Sequence, residues 1–373
     1  YAWTENTTAE FTLTAPETVT WSSGTLSNAT LSSAGLLEVT QTPATTIGYD
    51  VTATDTAGNV TNKTITVSSV PFAVFNASNE YVSAHPTFDS ALAAASAGQT
   101  IKADEVSQIN NYEVTGTEAI NVDASLDTTG VNLTGNGAAN SLTGGIGTDT
   151  LVGGAGNDIL IGNAGNDSLT GGEGADRLDG GAGDDTLTGG EGADRLDGGA
   201  ANDTFVYNAA TELASDTLIG GAGTDTLELK AAGTYDFNLL TSATGITNVS
   251  VEGTSGPSTV IVGNKLPDAD VPLTITGSNL SQNVTIDASN LGLSQSVIIE
   301  AAGFNGNDTF TGGAGSDQVV YTSTYSAEQL SFTGTGATQT LSIANGSDGT
   351  DTLNNIEVLE FANSVTVRVV GAN

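Results

Sequence analysis

The sequence predicts an all-β protein: an N-terminal β-sandwich followed by a parallel β-roll that passes into a wider β-helix solenoid. Three observations carry this prediction. Short β-branched runs alternate with polar residues along most of the chain. From Gly144 to Val206 the sequence falls into seven consecutive nine-residue units with no insertion. One segment alone, "HPTFDSALAAASAGQTIKA" from His85, has the cap, body and glycine stop of a helix.

Composition narrows the partners. Across 373 residues there are 43 acidic and 7 basic side chains, a net charge of -36. Such a chain repels nucleic-acid phosphate and anionic lipid, and its natural small partners are cations. A hydrophobic fraction of 38% argues for folded structure in spite of the charge. Cysteine is absent, so neither a disulfide framework nor a cysteine metal site is available. A secreted chain of this kind needs another staple, and a metal serves. Methionine is also absent and the chain starts at Tyr1, which reads as a processed product or fragment. No N-terminal signal peptide and no run of 18 apolar residues is visible, so no membrane-spanning segment is expected.

Residues 1–70 contain the runs "AEFTLTA", "TVTWSSG", "GLLEVTQ" and "GYDVTATDTAGNVTNKTITVSSV". The last is a hairpin pattern, with two β-branched runs around a turn at Thr56–Asn59. Trp3 and Trp21 are candidate core anchors. The stretch resembles bacterial immunoglobulin-like or cadherin-like modules. Asp50 and Asp55 are read as turn or strand-edge residues before calcium ligands.

Residues 71–143 hold the helix, with Thr87 as N-cap, Asp89 in the first turn and Gly98 as the stop. Strand-like pieces follow at "QTIKA", "YEVTG", "AINVDA" and "VNLTG". A short amphipathic helix before evenly spaced strands is similar to the N-terminal cap of a right-handed parallel β-helix, which covers the open end of the stack.

The units of residues 144–228 carry the chemistry. They run "GGIGTDTLV", "GGAGNDILI", "GNAGNDSLT", "GGEGADRLD", "GGAGDDTLT", "GGEGADRLD", "GGAANDTFV", with a degenerate copy before them at 135–143, a further unit at 220–228, and between them "TELASDTLI" at 211–219, which keeps the Asp and the Leu but loses the glycines. Position eight is always apolar: Leu151, Leu160, Leu169, Leu178, Leu187, Leu196, Phe205. One inward side chain per unit predicts a strand of about three residues and a six-residue turn supplied with glycine. Two units, 18 residues, then make one coil, and the exact repeat of "LTGGEGADRLDGGA" at Leu169 and Leu187 is one coil copied.

Stacking coils about 4.8 Å apart sorts position six into two columns. One holds Asp149, Asp167, Asp185 and Asp203; the other holds Asn140, Asp158, Asp176 and Asp194. Carboxylates at that spacing repel by about 1 kcal/mol per pair in water and by more where water is scarce. Apolar contacts per coil are also few against the backbone entropy of ordering it. A hard cation removes the repulsion. Calcium accepts several oxygens in a flexible arrangement, and glycine-rich turns expose carbonyls; magnesium demands a tighter octahedron. The units resemble the RTX (repeats-in-toxin) nonapeptide of calcium-binding β-rolls. That resemblance implies several calcium ions, each shared by position-six residues of successive coils with turn carbonyls between them. It extends the expected ligands to Asp216, Asp225, Asp308, Asp317 and Asp351. Two departures, the uncharged Asn140 and Ala201 in place of a turn glycine, mark weaker sites at the ends.

Strand-like runs continue through 229–302 ("NVSVE", "TVIV", "PLTIT", "NVTID", "SVIIE"), as expected for wider rungs. Residues 303–373 hold a second patch of units and a terminal cap. The tail "GTDTLNNIEVLEFANSVTVRV" resembles the C-terminal ends of RTX proteins exported by type I secretion, which fold outside the cell where calcium is plentiful.

Catalysis finds little support. His85 is the single histidine, which rules out an H-E-x-x-H zinc site, and no G-x-S-x-G elbow exists. Acidic pairs such as Asp123/Asp127 and Asp268/Asp270 are unremarkable in so acidic a chain. Lys63, Lys102, Lys230, Lys265 and Arg368 are scattered. Arg177 and Arg195, each beside Glu173/Asp179 or Glu191/Asp197, read as a solvated ion-pair ladder of little energetic weight. The expected function is a secreted, calcium-stabilised structural protein with no enzymatic activity, assembling with itself on the bacterial cell surface as an S-layer-like lattice or filament. An adhesin or binder of surface polysaccharide is the alternative, and the non-catalytic tail of a secreted RTX enzyme or toxin a third.

Overall fold

The computed structural model describes residues 111–252, 256–266 and 271–322 (without 279, 281 and 293), segments between 330 and 368 and between 72 and 103, and, from 9 to 67, the strands alone. The chain divides into two compact units: Tyr1–Ile109 with Glu118–Asp127, and Asn110–Thr117 with Thr128–Asn373.

The first unit opens with two antiparallel three-stranded sheets. Leu36–Val39 lies between Ala9–Thr12 and Ala29–Leu31, and Ile47–Asp55 lies between Val19–Ser23 and Val60–Val67. The expected hairpin is present, paired from Ile47↔Val67 to Thr54↔Val60. Its turn, Trp3 and Thr87 lie outside the described residues. Trp21 sits in Val19–Ser23, and Asp50 and Asp55 both fall within Ile47–Asp55. The helix spans Phe88–Ala94, with Ala91 buried. Gly98 follows at φ +77°, a left-handed backbone that glycine adopts without penalty. Sequence patterning passes over an antiparallel pair, Phe72–Phe75 with Tyr81–His85. Phe72–Phe75 also pairs with Thr100–Ala103, which in turn runs parallel to Asn121–Asp123.

The second unit is a parallel stack. Successive coils place like on like: Leu133, Leu151, Leu169, Leu187, Phe205, Leu227, Val249, Ile275, Ile299, Val319 and Leu359 form one continuous inward column. Leu142, Leu160, Leu178, Leu196 and Leu218 form the facing column. All are buried. Leu169 pairs with Leu187 and Leu178 with Leu196, so the 18-residue coil is the true repeat.

The predicted three-residue strand is too short. Strands such as Thr150–Ala155 and Ser168–Glu173 run for six residues, and the turn shrinks to three, as at Gly156–Asp158. The two glycines after the apolar residue join the ladder, with Gly154 opposite Gly172. The first of them points inward and is buried at Gly153, so the narrow core alternates leucine with glycine.

Beyond Val206 the coil lengthens. The register step is 22 residues at Phe205↔Leu227, 26 at Val249↔Ile275 and 24 at Ile286↔Phe310. Inward positions now carry two apolar side chains per strand, as in Leu227/Leu229 and Val249/Val251. A third parallel ladder joins, through Tyr235, Val260, Ile286, Phe310 and Leu353. The stack ends in antiparallel strands: Leu330–Thr333 on Thr340–Ala344, that strand on Thr350–Asn354, and Thr366–Arg368 on Val358–Phe361.

Candidate metal centre: columns of buried carboxylates

From Asp158 to Asp203 each position-six aspartate is the last residue of a three-residue turn and is buried. In each, one carboxylate oxygen accepts a hydrogen bond from the backbone N–H one coil earlier. Oδ1 of Asp158, Asp176 and Asp194 receives the N–H of Asn140, Asp158 and Asp176 at 2.7–2.8 Å. Oδ1 of Asp149, Asp167, Asp185 and Asp203 receives the N–H of Val131, Asp149, Asp167 and Asp185 at 2.7–2.9 Å. The two columns are therefore those expected from the spacing. Asp216 and Asp225 extend them, accepting from Asp194 and Asp203 across the longer coil. A second patch repeats the device: Val284 to Asp308, Asp308 to Asp351, and Val297 to Asp317.

The second oxygen decides the chemistry. Oδ2 of Asp158, Asp167, Asp176, Asp185, Asp194, Asp203, Asp225 and Asp308 is buried and has no hydrogen-bond partner. A buried carboxylate oxygen left so is costly. The other expected ligands differ. Asp149 Oδ2 accepts from Gly145 N–H at 2.6 Å and Asp317 Oδ2 from Gly313 N–H at 2.7 Å, each within its own unit. Asn140 Oδ1 accepts from Asn136 N–H at 2.9 Å. Asp216 and Asp351 accept from the hydroxyls of Tyr207 and Tyr321.

Beside seven of the unpartnered oxygens, from Asp158 to Asp225, the space is set by the position-one glycine. A Cβ built on Gly153 would stand against Asp158 Oδ2 and 2.7 Å from the Gly171 carbonyl oxygen of the next coil. The same pair, a carboxylate oxygen and a carbonyl one coil on, surrounds Gly162, Gly171 and Gly180. Only a residue without a side chain leaves this cradle of oxygens open. Among the described residues no three acidic or histidine side chains converge on one point. A cation held here draws mostly on backbone carbonyls, which suits a hard ion such as calcium.

Nothing in the described ion pairs neutralises the columns. Lys102, Arg177, Arg195 and Lys230 pair with Asp123, Asp179, Asp197, and Glu228 and Glu252, all outside them. The Arg177–Asp179 and Arg195–Asp197 pairs, at 2.9 and 2.8 Å, form the exposed ladder expected from sequence, without Glu173 or Glu191. Burial accordingly pushes the column carboxyls up. Asp185 rises to about 7, chiefly by desolvation, with repulsion from Asp167, Asp203 and Asp184. Asp167, Asp176 and Asp203 rise to about 6 from the same desolvation and from neighbouring carboxylates.

Sequence reading misses Glu357. Its Oε2 accepts from Asp317 N–H at 2.8 Å, and its Oε1 is buried without a partner, so it acts as a position-six residue. It stands 40 residues after Asp317 with no glycine signature around it, and only the Val319↔Leu359 register reveals it. Sequence reading also misses an outer ladder, in which Asn157, Asn166, Asp184 and Asn202 accept from Ala175, Asp184, Asn202 and Thr224. His85 closes the strand Tyr81–His85, and the pair Asp268/Asp270 lies outside the described residues.

Comparison with known families agrees with this geometry. The RTX calcium-binding nonapeptide repeat matches in four copies, at residues 134–169, 170–205, 213–229 and 302–320. These segments hold every expected ligand except Asp351. Among curated proteins no match is found.

Proposed function

We propose that the chain is a secreted structural protein that calcium makes rigid outside the cell and that assembles with itself on the bacterial surface, as a lattice or filament. One observation carries the calcium part: eight buried carboxylate oxygens stand without hydrogen-bond partners, those of Asp158, Asp167, Asp176, Asp185 and Asp225 beside backbone carbonyls, with no described cationic side chain to neutralise them. Calcium bound there supplies positive charge between coils. Asp158, Asp176 and Asp194 hold it on one column, and Asp167, Asp185, Asp203 and Asp225 on the other. RTX repeats are typical of secreted proteins, and no described helix is long and apolar enough to cross a membrane. Export by type I secretion fits the C-terminal tail.

Self-assembly draws support from the sheet ends. Leu330–Thr333 and Thr366–Arg368 each pair on one side alone among the described strands, and such edges template contacts between copies. The two antiparallel sheets of residues 9–67 fit an immunoglobulin-like module suited to head-to-tail contacts. A single histidine and the lack of a nucleophile motif support a non-enzymatic role. The outward column Thr150, Ser168, Thr186, Thr204 and Thr226 favours a second reading, polysaccharide binding through stacked hydroxyls.

Electron microscopy of purified protein, with calcium and then with chelator, tests the proposal. Ordered sheets or fibres that need calcium are expected. Particles that stay monomeric in calcium overturn assembly, and glycan capture by those monomers favours the second reading.

A further inference from the structure

We infer that a tyrosine standing where a nonapeptide unit would place its first glycine closes the cation column, its hydroxyl taking the place of the ion on the next carboxylate. The inference rests on the calcium reading above and concerns where the sites stop.

Position one is glycine in all seven consecutive units. The residue after the seventh unit is Tyr207, and the residue after the unit at 312–320 is Tyr321. Both end inward-alternating strands, Thr204–Tyr207 and Gln318–Tyr321, and both are buried. At Gly189 a Cβ would meet Asp194 Oδ2. In the next coil a full side chain occupies the corresponding place. The Tyr207 hydroxyl donates to Asp216 Oδ2 at 2.7 Å, and the Tyr321 hydroxyl donates to Asp351 Oδ2 at 3.1 Å. The other oxygen of each carboxylate accepts from the coil before, from Asp194 and Asp308. Both oxygens are thus engaged and the glycine cradle is filled.

The contrast runs along a single column. Asp158, Asp176 and Asp194 keep Oδ2 unpartnered, and Asp216, next in the ladder, has it capped. A phenol donating a hydrogen bond to a carboxylate satisfies that oxygen locally and needs no ion. Two tyrosines after two separate runs of units do the same thing. Asp216 and Asp351 are therefore structural acceptors that end the columns, although their spacing marks them as ligands.

Calcium counting on the full chain tests this, by equilibrium dialysis with elemental analysis, and with unfolding in chelator followed in parallel. Asp216→Asn is expected to bind as many ions as the wild type, whereas Asp176→Asn binds fewer. Tyr207→Gly reopens the cradle and gains an ion. Tyr207→Phe keeps the ring, leaves the count unchanged, and lowers the thermal midpoint in chelator because Asp216 loses its donor. A lower count in Asp216→Asn overturns the closure, as does a folded Tyr207→Gly that gains nothing. If Tyr207→Gly does not fold, Asp216→Asn decides alone. Wild-type protein that binds no calcium overturns the calcium reading itself, and the closure with it.

Discussion

Two stretches of one stack, the 18-residue coils of 144–206 and the longer coils that follow, share their parallel ladder and their central apolar column but are held together differently. In the narrow coils a strand buries one leucine and one glycine, as in Leu169 and Gly171. The remaining cohesion comes from carboxylates bonded to the coil before and still lacking a partner for one oxygen. In the wider coils Leu227/Leu229, Val249/Val251, Leu273/Ile275 and Val297/Ile299 bury two apolar side chains per strand. From Ile246 to Val262 no described carboxylate bonds to a neighbouring coil's backbone. The difference teaches that coil length selects the cohesive force. A short coil has no room for an apolar interior and must bring in charge, while a long coil makes a core of its own even where the carboxylates return, as at Asp308 and Asp317.

Chelation breaks the comparison most severely. Removing calcium leaves the narrow coils with uncompensated buried carboxylates and leaves the wide coils their core. Amide exchange by mass spectrometry in chelator is expected to show protection over Leu151–Phe205 falling on the order of 100-fold, the loss that follows from one ligand present at about 100 times its dissociation constant. Protection over Val249–Ile275, away from the second carboxylate patch, stays near its calcium-bound level. Equal loss in both stretches, or none in either, would show that coil length does not decide the force.

The pH dependence sharpens the same contrast. Burial raises the Asp185 carboxyl to about 7 and those of Asp167, Asp176 and Asp203 to about 6, so the folded chain binds protons more tightly than the unfolded one. Calcium-free stability of the narrow coils therefore falls as pH rises from about 4 through 6–7, and levels off above. Calcium acts in the opposite sense, because it binds the ionised form and displaces those protons. Acidifying calcium-free protein from pH 7.5 to 5 is expected to raise the thermal midpoint and to shrink the further gain from added calcium. A calcium-free midpoint that falls on acidification would show that the columns do not carry the charge penalty assigned to them.

How far the sequence foretold this follows from the same physics. The narrow coils were legible because every unit solves one problem with the same residues, so both the Leu169↔Leu187 register and the two carboxylate columns could be read from a spacing of 18. The strand length does not show in the sequence because a glycine adds no apolar signal when it joins a ladder, as Gly154 does opposite Gly172. Asp216 and Asp351 look like ordinary position-six residues in the sequence because the partner that distinguishes them, a tyrosine hydroxyl, sits 9 and 30 residues away. Glu357 was invisible for the opposite reason: its place is fixed by a ladder that closes over a long insertion, with no repeat around it. In the wide coils the strands could be found from alternation, but their pairing could not, since β-branched runs fit many registers.

The smallest effect lies where one regime passes into the other. Ala201 stands at position four of the seventh unit, where the preceding units carry glycine, and its backbone is left-handed at φ +87°. The glycines one and two coils before it on that column, Gly183 and Gly165, sit at φ +128° and +133°. A left-handed alanine costs about 1–2 kcal/mol, and a glycine there returns about 0.4–1 kcal/mol of that by loosening the unfolded chain. Ala201→Gly is therefore expected to stabilise the protein by about 1 kcal/mol or less, a rise of about 1–4 °C in the midpoint of calcium-free unfolding. Gly192→Ala, the reverse change on the facing turn, drives a Cβ onto the Gly174 carbonyl oxygen and is expected to lower the midpoint by more. If Ala201→Gly leaves the midpoint unchanged or lowers it, the last narrow coil tolerates an alanine without strain, and the passage to wider coils is set by the inserted residues after Tyr207 alone.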